Sequence, residues 1–407
     1  MHSSLVIAVI AVALAWTTGG AAQPAAAAEI VAIRAELEAL QARLERLEQG
    51  NPPRAVAAPA AAPAAAPPVE VRVATVAPAV RFEGDLRYRH ETIDEEGAVE
   101  SNRQRIRARF GVAADVASNV RVGLQLASGG ADPVSANQTL DTGFDRKPLG
   151  IDRAFFSWAP SEQLTLTGGK FANPFFRPGN HHLVYDNDLN PEGLALRYQR
   201  GAWFANYGGL WVEERSAADD SLLLGGQFGI RHTFGNGSRL TAGASYYDYL
   251  ETEGRTPFSD GAAAGNRLSP DGNYLHDFNI AELFAELNLQ AGGRPLTVFA
   301  DYVRNSEAQE ADTGFALGAR VGEVSGARTW RIGYAYQDLE ADAVIGTFTD
   351  SDFAGGGTGG KGHVFELDYG LRDRLVLGVR YFRTERGVEL GAKHGYNRFQ
   401  ADVMFSY

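Results

Sequence analysis

Two periods divide the chain. Between residues 29 and 49, Ile30, Ile33, Leu37, Leu40, Leu44 and Leu47 recur at alternating steps of three and four. That spacing is the a/d seam of a coiled-coil helix. In a parallel assembly the flanking contacts would be Glu29–Arg34, Glu36–Gln41 and Arg43–Glu48, of which two join opposite charges and none joins like charges. A Pro/Ala-rich stretch over 50–80 follows, which blocks helix and sheet and reads as an extended spacer. It leaves the helix no adjacent core, so the seam predicts a parallel homo-oligomer. Three heptads are marginal alone, so the helix would assist an oligomer built elsewhere.

From residue 81 the period changes to two. Phe82, Leu86 and Tyr88 alternate with Arg81, Glu83, Asp85, Arg87 and Arg89; in the next segment Ile106, Ala108 and Phe110 alternate with Arg103, Arg105, Arg107 and Arg109. Sixteen such segments run to the final RFQADVMFSY. The connections between them are sorted by length. Long ones (129–149, 172–192, 251–273, 340–361) take turns with tight ones such as Ser118-Asn119, 200–202 and Arg372-Asp373. A soluble sandwich has no reason to sort its loops this way, whereas a transmembrane barrel has tight turns on one side and long loops on the other. An even number of strands of roughly 9–11 residues also fits a tilted bilayer crossing.

The polar face is too charged for a dry core, since four arginines on alternate positions of one strand would need partners. It suits a water-filled lumen, with the apolar face toward lipid and Trp158, Trp203, Trp211 and Trp330 in interfacial girdles. The apolar stripe Phe399, Ala401, Val403, Phe405 and Tyr407 then reads as the strand that closes the barrel. The expected fold is an all-β transmembrane barrel of about sixteen antiparallel strands, preceded by a short α-helical coiled coil.

Composition removes several alternatives. The chain carries 38 basic and 50 acidic residues, a net charge of −12, which argues against a nucleic-acid surface. It has no cysteine, so no disulfide or thiolate metal site can form. The apolar run from Ser4 to Trp16, followed by small residues, reads as a signal peptide over 1–22, with a second possible cut after Ala28. The expected divisions are thus 1–22, 29–49, 50–80 and a barrel over 81–407.

Candidate chemistry is sparse. With the first two strands as a hairpin, Glu83 and Asp85 should lie opposite Arg107 and Arg109, give or take one register step, and could neutralise them. Arg87, Arg89, Arg103 and Arg105 would have no acidic neighbour in that hairpin and would remain as a basic stripe, unless acidic loops or adjacent strands neutralise them. Asp186, Asp188 and Glu192 form an acidic group that lacks the ligand ladder of an EF-hand. His181 and His182 are vicinal and make a poor chelate without outside ligands, so no metal is expected. His232 is expected at the interface near a tight turn. The run GGGTGGKG at 355–362 imitates a phosphate loop but has Gly362 where Ser or Thr should stand, and it reads as a flexible outer loop. No clustered nucleophile, base and acid is found, so neither an enzyme nor a cofactor is expected.

The segment from Gly169-Lys170-Phe171 through Asn173-Pro174-Phe175 to YDNDLNPEG at 185–193 resembles the putative-porin families of Gram-negative bacteria. IDRAFFSW at 151–158 is similar to the strand that precedes it there. The resemblance implies a trimer of sixteen-stranded outer-membrane barrels whose third loop folds inward and narrows a channel for small hydrophilic solutes. Folded so, the third loop would bring Arg177, His182, Asp186, Asp188 and Glu192 into the passage, facing Arg87, Arg89, Arg103, Arg105, Arg107 and Arg109. Phosphate selectivity is not implied, because that subgroup relies on lysine ladders and this chain has four lysines. The rival expectation is a plugged anchor whose coiled coil reaches peptidoglycan or another cell-wall component.

Overall fold

The computed structural model describes residues 79–216, 218–259 and 261–407. The expected signal peptide and coiled coil, with seam residues Ile30, Ile33, Leu37, Leu40, Leu44 and Leu47, lie outside the described residues, as does nearly all of the spacer. The first strand begins at Ala79, two residues inside the expected spacer.

Alternating side chains produce the expected strands: β1 (Ala79–Glu95), β2 (Ser101–Ala117), β3 (Val120–Ser128), β5 (Leu149–Ser161), β6 (Leu164–Lys170), β7 (Glu192–Arg200), β8 (Trp203–Glu213), β9 (Ser221–Thr233), β10 (Arg239–Leu250), β11 (Phe278–Ala291), β12 (Arg294–Asn305), β13 (Thr313–Glu323), β14 (Trp330–Leu339), β15 (Gly360–Arg372), β16 (Leu375–Arg386) and β17 (His394–Ser406). The two-residue β4 (Gln138–Thr139) lies within a loop and extends the ladder on β2, opposite Arg105 and Ile106, beyond the end of β3. The sixteen full strands pair antiparallel in chain order, and β17 pairs back on β1 from Asp85↔Ser406 to Glu95↔Tyr396. The sheet closes, so every spanning strand has a neighbour on both sides and no ladder edge faces lipid.

Phe82, Leu86 and Phe110 stand outward with Trp158, Trp203, Tyr207, Trp211 and Phe228, all exposed. The arginine rows of β1 and β2 point inward. His232 lies at the end of β9, edge-on to Phe234 beside the tight 234–238 turn, as expected.

The barrel is not hollow. Its third (171–191), fifth (251–277) and seventh (340–359) long loops fold inside. Phe175, Leu183 and Tyr185 of the third loop, Phe258 and Tyr274 of the fifth, and Val344, Ile345 and Phe353 of the seventh form one buried cluster with Tyr247, Tyr249, Ile280, Val303 and Leu339 of the wall. Burying these side chains anchors the loops as a core anchors a soluble domain. The glycine run at 355–362 belongs to this wedge and is not the flexible outer loop expected. Thr358 is buried; its N–H donates to Ala264 O (2.9 Å) and its Oγ1 to Ala341 O (2.7 Å). Gly357 has φ +86° and lies so close to the fifth loop that a Cβ would sit 2.0 Å from Ala264 O. The glycines here serve close packing of backbone on backbone.

Candidate channel constriction

Strand register builds the basic wall. Asp85 lies opposite Arg109, Arg87 opposite Arg107, Arg89 opposite Arg105 and Glu91 opposite Arg103. Two of these pairs set like charges face to face, which is unfavourable unless acids intervene. Asp85 reaches both Arg107 (2.9 Å) and Arg109 (2.6 Å). Glu83 does not share this task, since the register is the one-step variant of the expected pairing and sets it opposite Gly111.

The stripe, expected to lack an acid within the hairpin, has one there, and an adjacent strand and a loop supply two more. Glu91, on the same inward row, accepts from Arg103, stands 3.8 Å from Arg105 and also accepts from Gln400 (2.9 Å). Asp402 on β17 binds Arg89, and Asp352 from the seventh loop bridges Arg89 (3.0 Å) and Arg398 (2.6 Å). Glu91 was legible in the sequence by its parity with Arg87 and Arg89. Asp402 and Arg398 alternate with the last apolar stripe, but only closure of the barrel brings them to Arg89. Arg87 differs from these neighbours: its Nη2 donates to Asn137 Oδ1 (2.5 Å), and among the described residues no carboxylate lies within 4 Å of it.

The third loop crosses to this wall. Gly179, at φ +61°, presses on the Phe299 ring, where a Cβ would lie 2.2 Å from Cδ1, and its N–H donates to Glu286 (2.7 Å). Arg177 ties its own loop together through Tyr185 O (3.1 Å) and Asn187 Oδ1 (2.9 Å). Asp188 sits 3.4 Å from both Arg107 and Arg109. Burial alone would raise its pKa, but Arg107, Arg109 and Arg87 hold the carboxyl below its usual range. The opposite charges therefore meet in contact instead of facing each other across an open gap. Glu192 does not join them. It opens β7 in parity with the outward Leu194 and Leu196, is exposed, and pairs with Lys170 (3.1 Å).

The seventh loop is the element the sequence reading left outside. Thr349 Oγ1 donates to the carbonyls of His182 (3.0 Å) and Leu183 (2.9 Å), and Ser351 N–H donates to Asp186 Oδ2 (3.0 Å). Asp186 is buried, and burial with the nearby Asp350 and Asp188 charges pushes its pKa well up. Asp352 goes the other way: burial would raise it, but Arg89 and Arg398 more than offset that and hold it well below the usual range. His181 stacks on Phe299 and meets Gln337 Oε1 (2.7 Å). His182 is pushed down to about 3 by burial and by Arg177, so its ring is neutral at ordinary pH.

Between these loops and the wall lies a cavity of about 390 Å³. Arg87, Arg320, Arg380 and Glu366 of the wall line it together with His182, Asp350 and Asp352 of the loops. A second cavity of about 400 Å³ flanks the start of the third loop, lined by Arg121, Arg153, Arg197 and Arg231 with Phe175 and Asn206.

The family model described as Putative porin matches residues 95–274 and 268–407. The chain belongs to the Putative porin family. It is a barrel of the outer-membrane porin type. The fold is similar to that of OprB from Pseudomonas putida in its high-pH structure (TM-score 0.56, 12% identity, 81% of this chain and 94% of that one). It is also similar to Salmonella typhi OmpF in complex with daunomycin (TM-score 0.51, 11% identity, 81% and 97%). A five-substitution mutant of Rh. blastica porin has the same fold (TM-score 0.50, 11% identity, 81% and 100%). No curated protein matches the chain in sequence. At such identities the similarity carries the porin fold and no residue roles.

Proposed function

We propose that this porin is a passive outer-membrane channel for small hydrophilic solutes, with a constriction built jointly by the third and seventh loops. The observation that carries this reading is the 390 Å³ cavity between those loops and the wall, lined by wall arginines and loop aspartates. A narrow aqueous gap with charges of opposite sign on its walls favours dipolar solutes and disfavours apolar ones, which must displace oriented water. Arg87, Arg89, Arg107, Arg177, His182, Asp186 and Asp188 belong to this constriction or to its scaffold. Arg103, Arg105 and Arg109 shape the wall behind it, and Glu192 is excluded.

The proposal includes a homotrimer, supported by the heptad seam at Ile30 to Leu47. Leu37→Asp with Leu44→Asp should weaken assembly without abolishing it, and a wild-type monomer in native mass measurement would refute the trimer. The channel itself is tested in planar bilayers with purified full-length protein. Stepwise conductance that falls when large sugars are added supports it. A silent membrane refutes it and favours the plugged anchor.

A further inference from the structure

His182 and Asp186 of the third loop and Asp350 of the seventh converge. One ligand atom from each lies within 4.8 Å of the other two. The sequence made the histidine pair a poor chelate for want of outside ligands, and the folded seventh loop brings one.

Other carboxylates around the cavity are matched. Asp188, Asp352 and Glu366 each have two arginines within 4 Å. Among the described residues, Asp186 and Asp350 have none. Their carboxylates are held in place by backbone. Asp186 accepts from the N–H groups of Asp188 (2.7 Å) and Ser351 (3.0 Å), and Asp350 Oδ1 accepts from those of Asp352 (2.8 Å) and Phe353 (3.3 Å). Asp350 Oδ2 accepts no hydrogen bond among the described residues; its near neighbour is His182 Nδ1, at 3.8 Å. Among the described residues the His182 ring makes no hydrogen bond either. Two fixed carboxylates without a counter-ion and an imidazole without a partner thus face one point at the cavity edge.

We infer that His182, Asp186 and Asp350 form a binding site for a divalent transition-metal ion of the Zn²⁺ class, which joins the third loop to the seventh. One nitrogen and two carboxylate oxygens are a ligand set such ions accept, at about 2.0–2.2 Å. The imidazole favours them over Ca²⁺ or Mg²⁺, which prefer oxygen alone. The ligand atoms, up to 4.8 Å apart, need to close toward the roughly 3.4 Å separation that these lengths set in a tetrahedron. Cavity water would supply the remaining position. The ion would neutralise the unmatched carboxylates and cross-link the two loops that set the constriction. The site does not depend on which solute crosses the channel, or on conduction at all.

The test is Zn²⁺ titration calorimetry on the full chain, folded in detergent and stripped with chelator. One ion per chain is expected. His182→Gln and Asp350→Asn should each weaken binding by at least about ten-fold, whereas His394→Gln should leave it unchanged. An equal concentration of Ca²⁺ should compete poorly. Absence of binding, or binding that survives both substitutions, would overturn the site. Should a variant fail to fold, the wild type suffices. Saturating Zn²⁺ should slow carbethoxylation of His182 by at least about ten-fold relative to His394, read by peptide mass. Equal rates with and without the ion would overturn the assignment.

Discussion

Arg89 and Asp402 are 313 residues apart in sequence and directly opposite in register, joined by two parallel hydrogen bonds, Nε to Oδ1 at 2.7 Å and Nη2 to Oδ2 at 2.9 Å. Both side chains are buried, 3% and 2% exposed. The pair sits on the seam between the first strand and the last, so it fastens the barrel where the chain itself supplies no turn. Breaking a buried pair by removing one partner strands the other charge, at a cost of about 3–5 kcal/mol. Arg89→Gln strands Asp402 and also frees one side of Asp352. It should lower the temperature at which the folded barrel converts to the unfolded band in SDS gels. An unchanged conversion temperature would show that the seam does not depend on this pair.

The strand count, the sorting of loops and the closing strand were all legible before the structure, because a period of two and a length asymmetry are local signals. The inward rows of β1 and β2 were legible for the same reason. Charge partners were less so. Asp352 meets Arg89 and Arg398 only because the seventh loop is folded inward, and nothing in its spacing distinguishes it from an outer loop. The signal lies in its apolar residues, since Val344, Ile345 and Phe353 are too many for a solvated loop of that length. Glu192 misled because the acidic group was read by proximity in sequence, whereas its parity with Leu194 already placed it outward.

The closing strand gives a second prediction. Ser406 N–H donates to Arg374 O (3.0 Å), Tyr407 N–H to Gly84 O (3.1 Å) and the Tyr407 hydroxyl to Arg109 O (2.9 Å). Deleting Phe405 to Tyr407 removes these bonds together with the Leu86↔Phe405 and Asp85↔Ser406 pairs. It leaves unpaired backbone on β1 and β16 in the bilayer. The truncated chain should fail to insert and be degraded, so that immunoblots of outer-membrane fractions lose the band. Wild-type levels there would contradict the role given to the last strand.

Acid should tighten, not loosen, the docking of the third loop on the seventh in metal-free protein. Asp186 has a raised pKa, so its charged form opposes the folded loops and that opposition fades as pH falls through its folded value. Asp352 has a depressed pKa, so its clamp on Arg89 and Arg398 is present above the ordinary carboxyl range and is lost only as pH falls through a value below it. On acidification the first group takes up its proton before the second, and between those two events lies a window in which the opposition has faded while the clamp persists. Amide exchange over 183–188 and 349–353, corrected for intrinsic rates, should therefore hold or slow across this window. Asp186→Asn should abolish the pH-dependent gain. Faster exchange in wild type at pH 4 would reverse the assignment of these two carboxyls.

Ion selectivity separates the constriction residues from one another. Arg87 lines the cavity without a carboxylate within ion-pair distance among the described residues, so its charge is balanced only at longer range, by Asp402 and Asp188, and acts on passing ions more than those of its paired neighbours. Arg87→Gln should move the reversal potential in a salt gradient toward cation preference. Asp188 is ionised and balances Arg107 and Arg109, so Asp188→Asn should release positive charge into the passage and move the potential toward anions. Asp186→Asn should do less, because burial and neighbouring acids already disfavour its charged form. Arg103→Gln should also act weakly, since Glu91 keeps Arg105 and Arg398 as partners. Each shift should shrink with salt, as screening shortens the reach of a charge from about 30 Å at 0.01 M to about 3 Å at 1 M. The order of effects matters more than any single size. If Arg103→Gln moves the potential more than Arg87→Gln at low salt, ions pass along the β1–β2 hairpin above the cavity, and the joint constriction of the third and seventh loops is not the narrow point.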